Sequence, residues 1–259
     1  MSRYNDIDMK RWKDYDDLIT DSLWIIDKRD NQGTHKGDYH GNFIPQIPYQ
    51  MMKRYTKKDE WILDPFVGSG TTLIEAQKLS RNAIGVDIDS NALRIAKSRL
   101  RPSDVTTKLV QGDSSSLEFN KILKSVGVSK VEFIIYHPPY WDIIKFNNIE
   151  GNIALADSLN DFLKRFEKVL NNTINLLEKN RYFCVVIGDI YKQGEWIPLN
   201  SYITQMILSK GYTLKSVIVK NVGETKAKSN QKALWRYRAL MNGFYVFAHE
   251  YILLFQNKK

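Results

Sequence analysis

Seven short β-type runs alternate with longer amphipathic patterns along this chain, and that alternation limits the fold more than any other feature of the sequence. The runs cover residues 61–63, 83–86, 108–110, 131–136, 182–187, 213–219 and 245–255. Short strands separated by helices are typical of βαβ units around a mostly parallel sheet. The last two runs are separated by roughly 25 polar and aromatic residues with no clear helical pattern, which indicates a long antiparallel hairpin. We therefore predict a seven-stranded, mostly parallel α/β sheet with a C-terminal antiparallel hairpin.

Helices are predicted between most of these strands because apolar residues recur there with helical spacing. The amphipathic segments cover residues 71–80, 90–100, 118–127, 157–180 and 200–211. Ser90 and Asp157 stand where a helix N-cap is expected, and Gly127 and Gly211 stand where a helix is expected to end. Helices are therefore expected on both faces of the sheet.

Composition limits the class of protein. Of the 259 residues, 43% are hydrophobic, so a single domain is predicted over 1–259, with residues 1–39 as an N-terminal extension. The 38 Lys and Arg against 29 Asp and Glu give a net charge of +9, which favours a polyanionic partner. The single cysteine, Cys184, excludes a disulfide framework, and no metal site is predicted. Because no run of about 18 apolar residues occurs and the first residues are polar, a cytoplasmic protein without a membrane segment is expected.

A glycine turn, GSGTT, lies between the first predicted strand and the first predicted helix. Glycines at such a turn let a ligand approach the backbone, and the free N–H groups of the helix N-terminus face that ligand. A nucleotide-hydrolysing loop requires a lysine after Gly70, and the dinucleotide fingerprint requires a glycine where Leu73 stands. Both phosphate interpretations are therefore weak.

Two aspartates flank this turn: Asp64 precedes it, and Asp87 ends the next strand. An acid at the second position suits a ribose diol, and an acid before the turn suits an ammonium group. A ligand that carries both an amino-acid group and a nucleoside fits this pair, which indicates S-adenosylmethionine.

The stretch DPFVGSGTT resembles the cofactor motif of the DNA amino-methyltransferases, which methylate cytosine N4 or adenine N6. Upstream, HGNFIPQIPYQMMKRYT resembles the family segment that closes over the cofactor. Downstream, GVDID resembles its ribose-binding strand end, QGDS its adenine-binding turn and HPPY its catalytic tetrapeptide. The resemblance implies a Rossmann-like fold, S-adenosylmethionine as cofactor, and cofactor contacts from Phe43, Asp64, Pro65, Phe66, Gly68, Gly70, Thr71, Asp87 and Asp113.

In the tetrapeptide, two prolines at the end of a predicted strand fix the chain direction and leave a rigid carbonyl at the sheet edge. In the family that HPPY resembles, the first side chain and the first proline carbonyl orient the target amino group, and the tyrosine stacks on the extruded base. The resemblance therefore implies that His137, Pro138, Pro139 and Tyr140 are catalytic. Trp141 is more typical of the cytosine-N4 enzymes, so cytosine N4 is favoured over adenine N6.

His137 departs from the family pattern, which has Ser, Asp or Asn at this position. A neutral imidazole has one acceptor nitrogen and can replace those oxygens, whereas imidazolium cannot. With an ordinary pKa near 6.5, the ring is expected to protonate as the pH falls toward about 5.5. The alternative is that His137 marks a lost or altered activity.

The segment 220–245 carries basic and aromatic residues with a single acid, and we predict that it contacts DNA. Its candidate contacts are Lys226, Lys228, Lys232, Arg236 and Arg238, and Lys145 after the tetrapeptide is a further candidate. The alternative is a solvated loop with Trp235 packed in the core. The expected substrate is double-stranded DNA, and a cognate restriction enzyme is a candidate partner.

The sequence leaves two other functions open. Related Pro-Pro-Tyr motifs serve planar amino groups in RNA and in protein glutamine, so methylation of either substrate is one alternative. A non-catalytic nucleic-acid-binding subunit with the same fold is the other. The basic aromatic segment fits nucleic acid better than a protein partner.

Overall fold

The computed structural model describes residues 4–39, 41–141, 149, 151–222 and 232–259, except for the side chain of Lys232. Three predicted DNA contacts, Lys145, Lys226 and Lys228, lie outside the described residues. The statements below concern the described part of the chain.

Ten strands occur in these residues. They are β1 (Leu23–Trp24), β2 (Trp61–Asp64), β3 (Asn82–Asp87), β4 (Thr107–Gln111), β5 (Val131–Tyr136), β6 (Leu177–Ile187), β7 (Ile190–Lys192), β8 (Glu195–Ile197), β9 (Thr213–Asn221) and β10 (His249–Gln256). Eight form one sheet in the order β1-β9-β10-β6-β5-β2-β3-β4, and β7 and β8 form a separate hairpin. All seven predicted strands lie in the large sheet, where β10 runs antiparallel to β6 and β9 and the other pairs are parallel. The predicted sheet and its C-terminal hairpin are confirmed, whereas β1, β7 and β8 were not predicted.

Seven α-helices occur in the same residues, and they cover both faces of the sheet. They are α1 (Gln46–Tyr55), α2 (Thr71–Lys78), α3 (Ser90–Arg99), α4 (Phe119–Lys124), α5 (Leu159–Thr173), α6 (Leu199–Ser209) and α7 (Lys232–Asn242). In β5, Phe133 and Ile135 pack in the apolar cluster that contains α1, whereas Ile134 and Tyr136 pack in the cluster that contains α5. This alternation follows from the two-residue period of a strand. None of the described helices has the length and hydrophobicity that crossing a membrane requires.

The predicted C-terminal end of one helix is wrong. The helix predicted over 157–180 ends at Thr173, and β6 already begins at Leu177. Leu177 pairs with Val131 of β5, so pairing within the sheet overrides the local helical pattern. The other two predicted ends are confirmed, because Gly127 and Gly211 follow α4 and α6, each with a φ of +80°.

Two predicted N-caps are each displaced by one residue. The caps are Asp89 and Ser158 rather than Ser90 and Asp157. Each capping side chain accepts a hydrogen bond from a backbone N–H in the first turn of its helix, which satisfies a donor that the helix itself cannot.

The connection between β9 and β10 contains a helix, α7, where none was predicted. Its described side chains are almost all exposed, so the helix packs on little of the domain. Lys, Ala, Leu and Arg are good helix formers, and they outweigh the aromatic residues placed among them. β10 accordingly begins at His249 rather than at residue 245.

Candidate active site

A cavity of about 1110 Å³ opens where β2, β3, β5 and β6 end, since Pro65, Ile88, His137 and Gly188 directly follow these strands and line it. Ligands of open α/β sheets bind at this carboxyl edge. The predicted site residues that line the cavity are Phe43, Pro65, Phe66, Gly68, Asp87, Asp113, His137, Pro138, Pro139 and Tyr140. The structure therefore brings the whole tetrapeptide and most of the predicted cofactor residues to one cavity.

Asp87 ends β3 and holds its carboxylate at the cavity wall. Its Oδ2 accepts a hydrogen bond from the Gly68 N–H at 2.8 Å, and its Oδ1 accepts one from the Asp89 N–H at 2.9 Å. Burial raises the pKa of Asp87, while these two N–H donors act in the opposite direction. A carboxylate has about four lone-pair sites, so Asp87 can also accept hydrogen bonds from a ribose diol.

Asp113 follows β4 and supplies a second carboxylate to the cavity. Its Oδ1 accepts a hydrogen bond from the Ser115 N–H at 2.8 Å. A Cβ atom on Gly151 would lie 2.8 Å from the Asp113 Oδ2, so a glycine is needed where the two chain segments approach each other. Ile88 and Ile153 add apolar walls. Two acids and apolar walls in one cavity fit a nucleoside, so these residues are compatible with S-adenosylmethionine.

Three predicted cofactor residues, Asp64, Gly70 and Thr71, do not line the cavity. Asp64 is buried, and its carboxylate accepts hydrogen bonds from the Thr72 hydroxyl at 2.5 Å and the Phe66 N–H at 2.9 Å. Burial raises the pKa of Asp64 to about 7. The carboxylate thus ties the end of β2 to the first turn of α2, and it shapes the glycine turn from within.

Gly70 packs against α3, and this contact predicts an effect on stability. Its φ is +90°, and a Cβ atom there would lie 3.0 Å from the Ala96 Cβ and 3.2 Å from the Ala96 Cα. We expect Gly70→Ala to lower the free energy of unfolding by about 2–4 kcal/mol, since the left-handed backbone and the clash both cost energy. Urea unfolding measures this loss.

The matched control for this prediction is Gly127→Ala. Gly127 has a φ of +80°, but a Cβ atom there would meet no described atom within 4 Å. The control is expected to lose only about 1–2 kcal/mol, which is the cost of the left-handed backbone alone. Equal losses of unfolding free energy in the two variants would show that the clash of the added Cβ atom with Ala96 has no energetic cost.

The segment before α1 lies against the glycine turn. The Asn42 Oδ1 accepts a hydrogen bond from the Ser69 hydroxyl at 2.6 Å, and Asp38 pairs with Arg99 of α3. Tyr39 of the same segment lines the cavity. These contacts were not predicted residue by residue, although the upstream resemblance had placed the segment near the cofactor.

The ring of His137 follows β5 and packs between two aromatic rings. Its centroid lies 4.7 Å from that of Phe43 and 5.9 Å from that of Tyr140, both in edge-on contacts. Burial lowers the pKa of His137 to about 4, while the Glu250 carboxylate opposes this shift and the Lys220 ammonium adds to it. The expectation of an ordinary pKa near 6.5 is therefore wrong. The ring is neutral at physiological pH and keeps one acceptor nitrogen.

Tyr140, Glu250 and Lys220 form a chain of hydrogen bonds on the cavity wall. The Tyr140 hydroxyl donates to the Glu250 Oε2 at 3.1 Å, and the Lys220 Nζ donates to the Glu250 Oε1 at 2.8 Å. Lys220 and Glu250 stand directly opposite each other in β9 and β10. The Lys220 side chain is only 4% exposed, so the first basic residue of the segment 220–245 is not part of an exposed surface.

Arg236 and Arg238 are the predicted DNA contacts whose side chains the structure describes. Both are exposed on α7, and the Arg238 guanidinium lies 5.4 Å from the centroid of the Trp235 ring. Trp235 is 37% exposed, so the alternative that packs this ring in the core is wrong. Lys232 begins α7, which places its backbone on the same helix.

An aromatic cluster, formed by Trp196, Phe247 and His249, was not predicted. Phe247 and His249 line the cavity, and the Trp196 ring of β8 packs on Phe247 with centroids 4.1 Å apart. The Trp196 Nε1 donates to the Asp189 Oδ2 at 3.1 Å, which fixes the hairpin to the end of β6. Strands as short as β7 and β8 give no periodic signal in a sequence.

Comparison with known families identifies the chain. The family model for N6 and N4 methyltransferases, described as DNA methylase, matches residues 2–98 and 131–259. The match spans most of the chain and includes the glycine turn, the tetrapeptide and both strands of the C-terminal hairpin.

Curated relatives match over shorter stretches. The chain is 34% identical over 112 residues to the Type II methyltransferase M2.DpnII of Streptococcus pneumoniae, which is 40% of this chain and 42% of the relative. It is 40% identical over 67 residues to the Type II methyltransferase M.MjaII of Methanocaldococcus jannaschii, which is 26% of this chain and 13% of the relative. A tRNA (guanine(10)-N2)-dimethyltransferase of Methanocaldococcus jannaschii is 26% identical over 168 residues, which is 61% of this chain and 43% of the relative. The chain thus spans less than half the length of each of these relatives.

Solved structures share the fold. An S-adenosylmethionine-dependent methyltransferase of Methanosarcina mazei aligns at a TM-score of 0.52 and 15% identity over 80% of this chain and 96% of that one. A methyltransferase of Pyrococcus furiosus aligns at a TM-score of 0.53 and 14% identity over 87% and 88%. The Rossmann-like fold is confirmed, and S-adenosylmethionine is the cofactor that the family and the fold indicate. The chain belongs to the N6 and N4 DNA methylase family.

Proposed function

We propose that this protein transfers a methyl group from S-adenosylmethionine to the exocyclic amino nitrogen of a base extruded from DNA. One observation carries the proposal: the tetrapeptide His137–Tyr140 and the two acids Asp87 and Asp113 line the same cavity. Chemistry at an amino group and binding of a nucleoside cofactor require that the two sites face each other.

Within this cavity, His137 and Pro138 activate the amine. An exocyclic amino group is a poor nucleophile because its lone pair is delocalised into the base. The neutral imidazole accepts a hydrogen bond from one N–H, and the Pro138 carbonyl accepts one from the other, so that the nitrogen faces the methyl group. S-adenosylmethionine, when bound, would supply that methyl group in electrophilic form and leave as a neutral thioether, and the proton released from the amine would pass to the neutral His137 nitrogen.

The target base is proposed to leave the duplex, since a base that stays paired cannot reach groups that line a cavity. Tyr140 stacks on the base, and Phe247 and His249 provide further aromatic surface. We favour cytosine N4 over adenine N6, as Trp141 follows the tetrapeptide. The Trp141 ring is buried and its Nε1 donates to the Ala156 carbonyl at 2.8 Å, so it supports the motif from within and does not read the base.

The single domain 1–259 is proposed to hold DNA mainly through α7, whose sequence includes three basic residues and no acid. We expect the double variant Arg236→Gln/Arg238→Gln to lower the affinity for DNA. The slope of log K against log salt concentration should become shallower by up to about 1.8, because each lost phosphate contact lowers the magnitude of that slope by about 0.9. The affinity for S-adenosylmethionine should not change. Fluorescence anisotropy of a labelled duplex over a salt series measures the slope.

Lys121→Gln/Lys124→Gln is the matched control for this experiment. It removes the same charge from α4, which follows β4, one edge strand of the sheet, whereas α7 follows β9, next to the other edge strand. The control should keep the slope of the unmodified protein. If the α7 variant also keeps that slope, the helix is a solvated surface and DNA binds elsewhere.

The proposal is tested by offering the protein three classes of methyl acceptor. Methyl-labelled S-adenosylmethionine is incubated with the protein and duplex DNA, tRNA or a protein extract in separate reactions. Label in duplex DNA alone is expected. Label in tRNA, the substrate class in the name of one relative, or in protein would support the alternative acceptors. Binding of DNA with no label anywhere would support a non-catalytic subunit. A cognate restriction enzyme is proposed as a partner, since two relatives are named Type II methyltransferases.

A further inference from the structure

The hydroxyl of Tyr140 is held by a buried ion pair that no part of the amine chemistry uses. Glu250 accepts from the Tyr140 hydroxyl at 3.1 Å with one oxygen and from the Lys220 ammonium at 2.8 Å with the other. The side chains of Lys220 and Glu250 are 4% and 13% exposed. Removing two charges from water costs free energy, so a buried ion pair adds little to the stability of the fold. Its position at the cavity wall is better explained by a role in the site.

Two other contacts limit the space around the Tyr140 ring. A Cβ atom on Gly188 would lie 3.1 Å from the Tyr140 Cε2, so the chain after β6 approaches one edge of the ring closely. The His137 ring meets the Tyr140 ring edge-on at 88°. The Tyr140 hydroxyl interacts with the Gly188 N–H as well as with Glu250, so the Glu250 contact is the side-chain polar restraint on the position of this ring, and a stacking ring must keep its position to hold a base.

The ion pair is itself fixed by the sheet. Lys220 and Glu250 are cross-strand partners in β9 and β10, and the Lys220 ammonium also donates to the Asn221 carbonyl at 2.6 Å. The position of the carboxylate is therefore set by two paired strands of the core sheet rather than by a loop. A site held by strands is more precisely oriented than one held by loops.

We propose that Glu250 is a positioning residue that holds the Tyr140 ring in place through its hydroxyl, with Lys220 as the counter-charge that holds the carboxylate in place. The inference rests on the proposed function for its effect on methylation, since Tyr140 is the ring that stacks on the target base. Glu250 acts on the rate through Tyr140 and takes no part in binding S-adenosylmethionine.

Two double variants separate the hydrogen bond from the charge. Lys220→Met/Glu250→Gln and Lys220→Met/Glu250→Leu both remove the two charges, so neither leaves a buried ion without a partner. Only glutamine retains an oxygen that accepts from the Tyr140 hydroxyl. We expect single-turnover methylation to be about tenfold slower in the leucine variant than in the glutamine variant, which is the scale of one lost hydrogen bond. The two variants should bind S-adenosylmethionine equally well.

Tyr140→Phe tests the same hydrogen bond from the other side. It should cause at least that loss by itself, and adding it to the leucine variant should cost less than it costs alone, because the hydrogen bond to Glu250 is already absent. Equal rates in the glutamine and leucine variants, or losses that multiply, would overturn the proposal. A Tyr140→Phe protein as fast as the unmodified protein would also overturn it, whether or not the double variants fold.

A measurement without an acceptor distinguishes this proposal from the proposed function. If no acceptor takes label, the proposed function fails, and the ring can still be observed by fluorine NMR of protein that contains 3-fluorotyrosine. The resonance of residue 140 is assigned by its loss in Tyr140→Phe. A different chemical shift in the glutamine and leucine variants supports the positioning role, and the same shift in both overturns it.

Discussion

Replacing His137 by alanine is expected to slow the methyl-transfer step by about 10²-fold or more, while DNA and S-adenosylmethionine still bind. The reason is the loss of an acceptor for one N–H of the target amine. His137→Asn should recover part of the rate, since its amide oxygen is also an acceptor. Single-turnover kinetics with saturating DNA measures the step. A normal rate in His137→Ala would mean that the ring is only a spacer beside the Pro138 carbonyl.

The pH profile of the same reaction gives an independent check. Because burial lowers the pKa of His137 to about 4, the ring stays neutral well below the ordinary range, and the rate should hold until the pH approaches that value. His137→Asn should show no such acid limb. A fall in rate centred near pH 6 to 6.5, the ordinary range of histidine, would contradict the lowered pKa of this ring.

The lowered pKa of His137 should also make the stability of the fold depend on pH, in a direction that can be stated. Between the ordinary pKa near 6.5 and the folded pKa of about 4, the unfolded chain binds a proton on residue 137 and the folded chain does not. His137 therefore makes the protein less stable as the pH falls through that window, and this contribution should disappear in His137→Asn. Circular dichroism over the same pH series separates loss of fold from loss of rate.

Asp87→Ala is expected to weaken the binding of S-adenosylmethionine by about 1.5–3 kcal/mol, through the loss of charged hydrogen bonds to the ribose hydroxyls. Asp87 lines the cavity, and its carboxylate also holds the Gly68 N–H at 2.8 Å, so the turn loses one restraint at the same time. Isothermal titration calorimetry measures the change in affinity, and thermal unfolding confirms that the variant remains folded.

Asp64→Asn is the matched control for this prediction. Asp64 stands on the neighbouring strand and was also predicted to contact the cofactor, yet it is buried and does not line the cavity. The near-isosteric change should lower stability and leave the affinity within about 0.5 kcal/mol, the range of a site without contact to the ligand. An affinity loss as large as that of Asp87→Ala in a folded protein would place Asp64 at the ligand after all.

The fold was largely predictable because it follows from local periodicity. The seven predicted strands all lie in the eight-stranded sheet, and the antiparallel pairing of β9 with β10 is confirmed. β1 has only two residues and β7 and β8 have three each, which is too short for a periodic signal. The start of β6 was missed because pairing of Leu177 with β5 outweighs the helical pattern of its sequence.

The candidate site was predictable only where its residues belong to contiguous motifs. Asp87, Asp113 and His137 each follow a predicted strand, so their meeting at one edge of the sheet follows from topology. The pairing of Lys220 with Glu250 depends on the register between two strands that are far apart in the sequence, which no local pattern encodes. The lowered pKa of His137 likewise depends on burial, a property of the packed structure.

Identification of the methylated nucleoside tests the central claim most directly. Duplex DNA is incubated with the protein and S-adenosylmethionine whose methyl group carries an isotopic label, digested to nucleosides and analysed by mass spectrometry. We expect label in N4-methylcytosine, or in N6-methyladenine as the alternative within the family, and a loss of that label in His137→Ala. Label at a ring carbon such as cytosine C5, or DNA without label while RNA or protein carries it, would contradict methyl transfer to a DNA amino group.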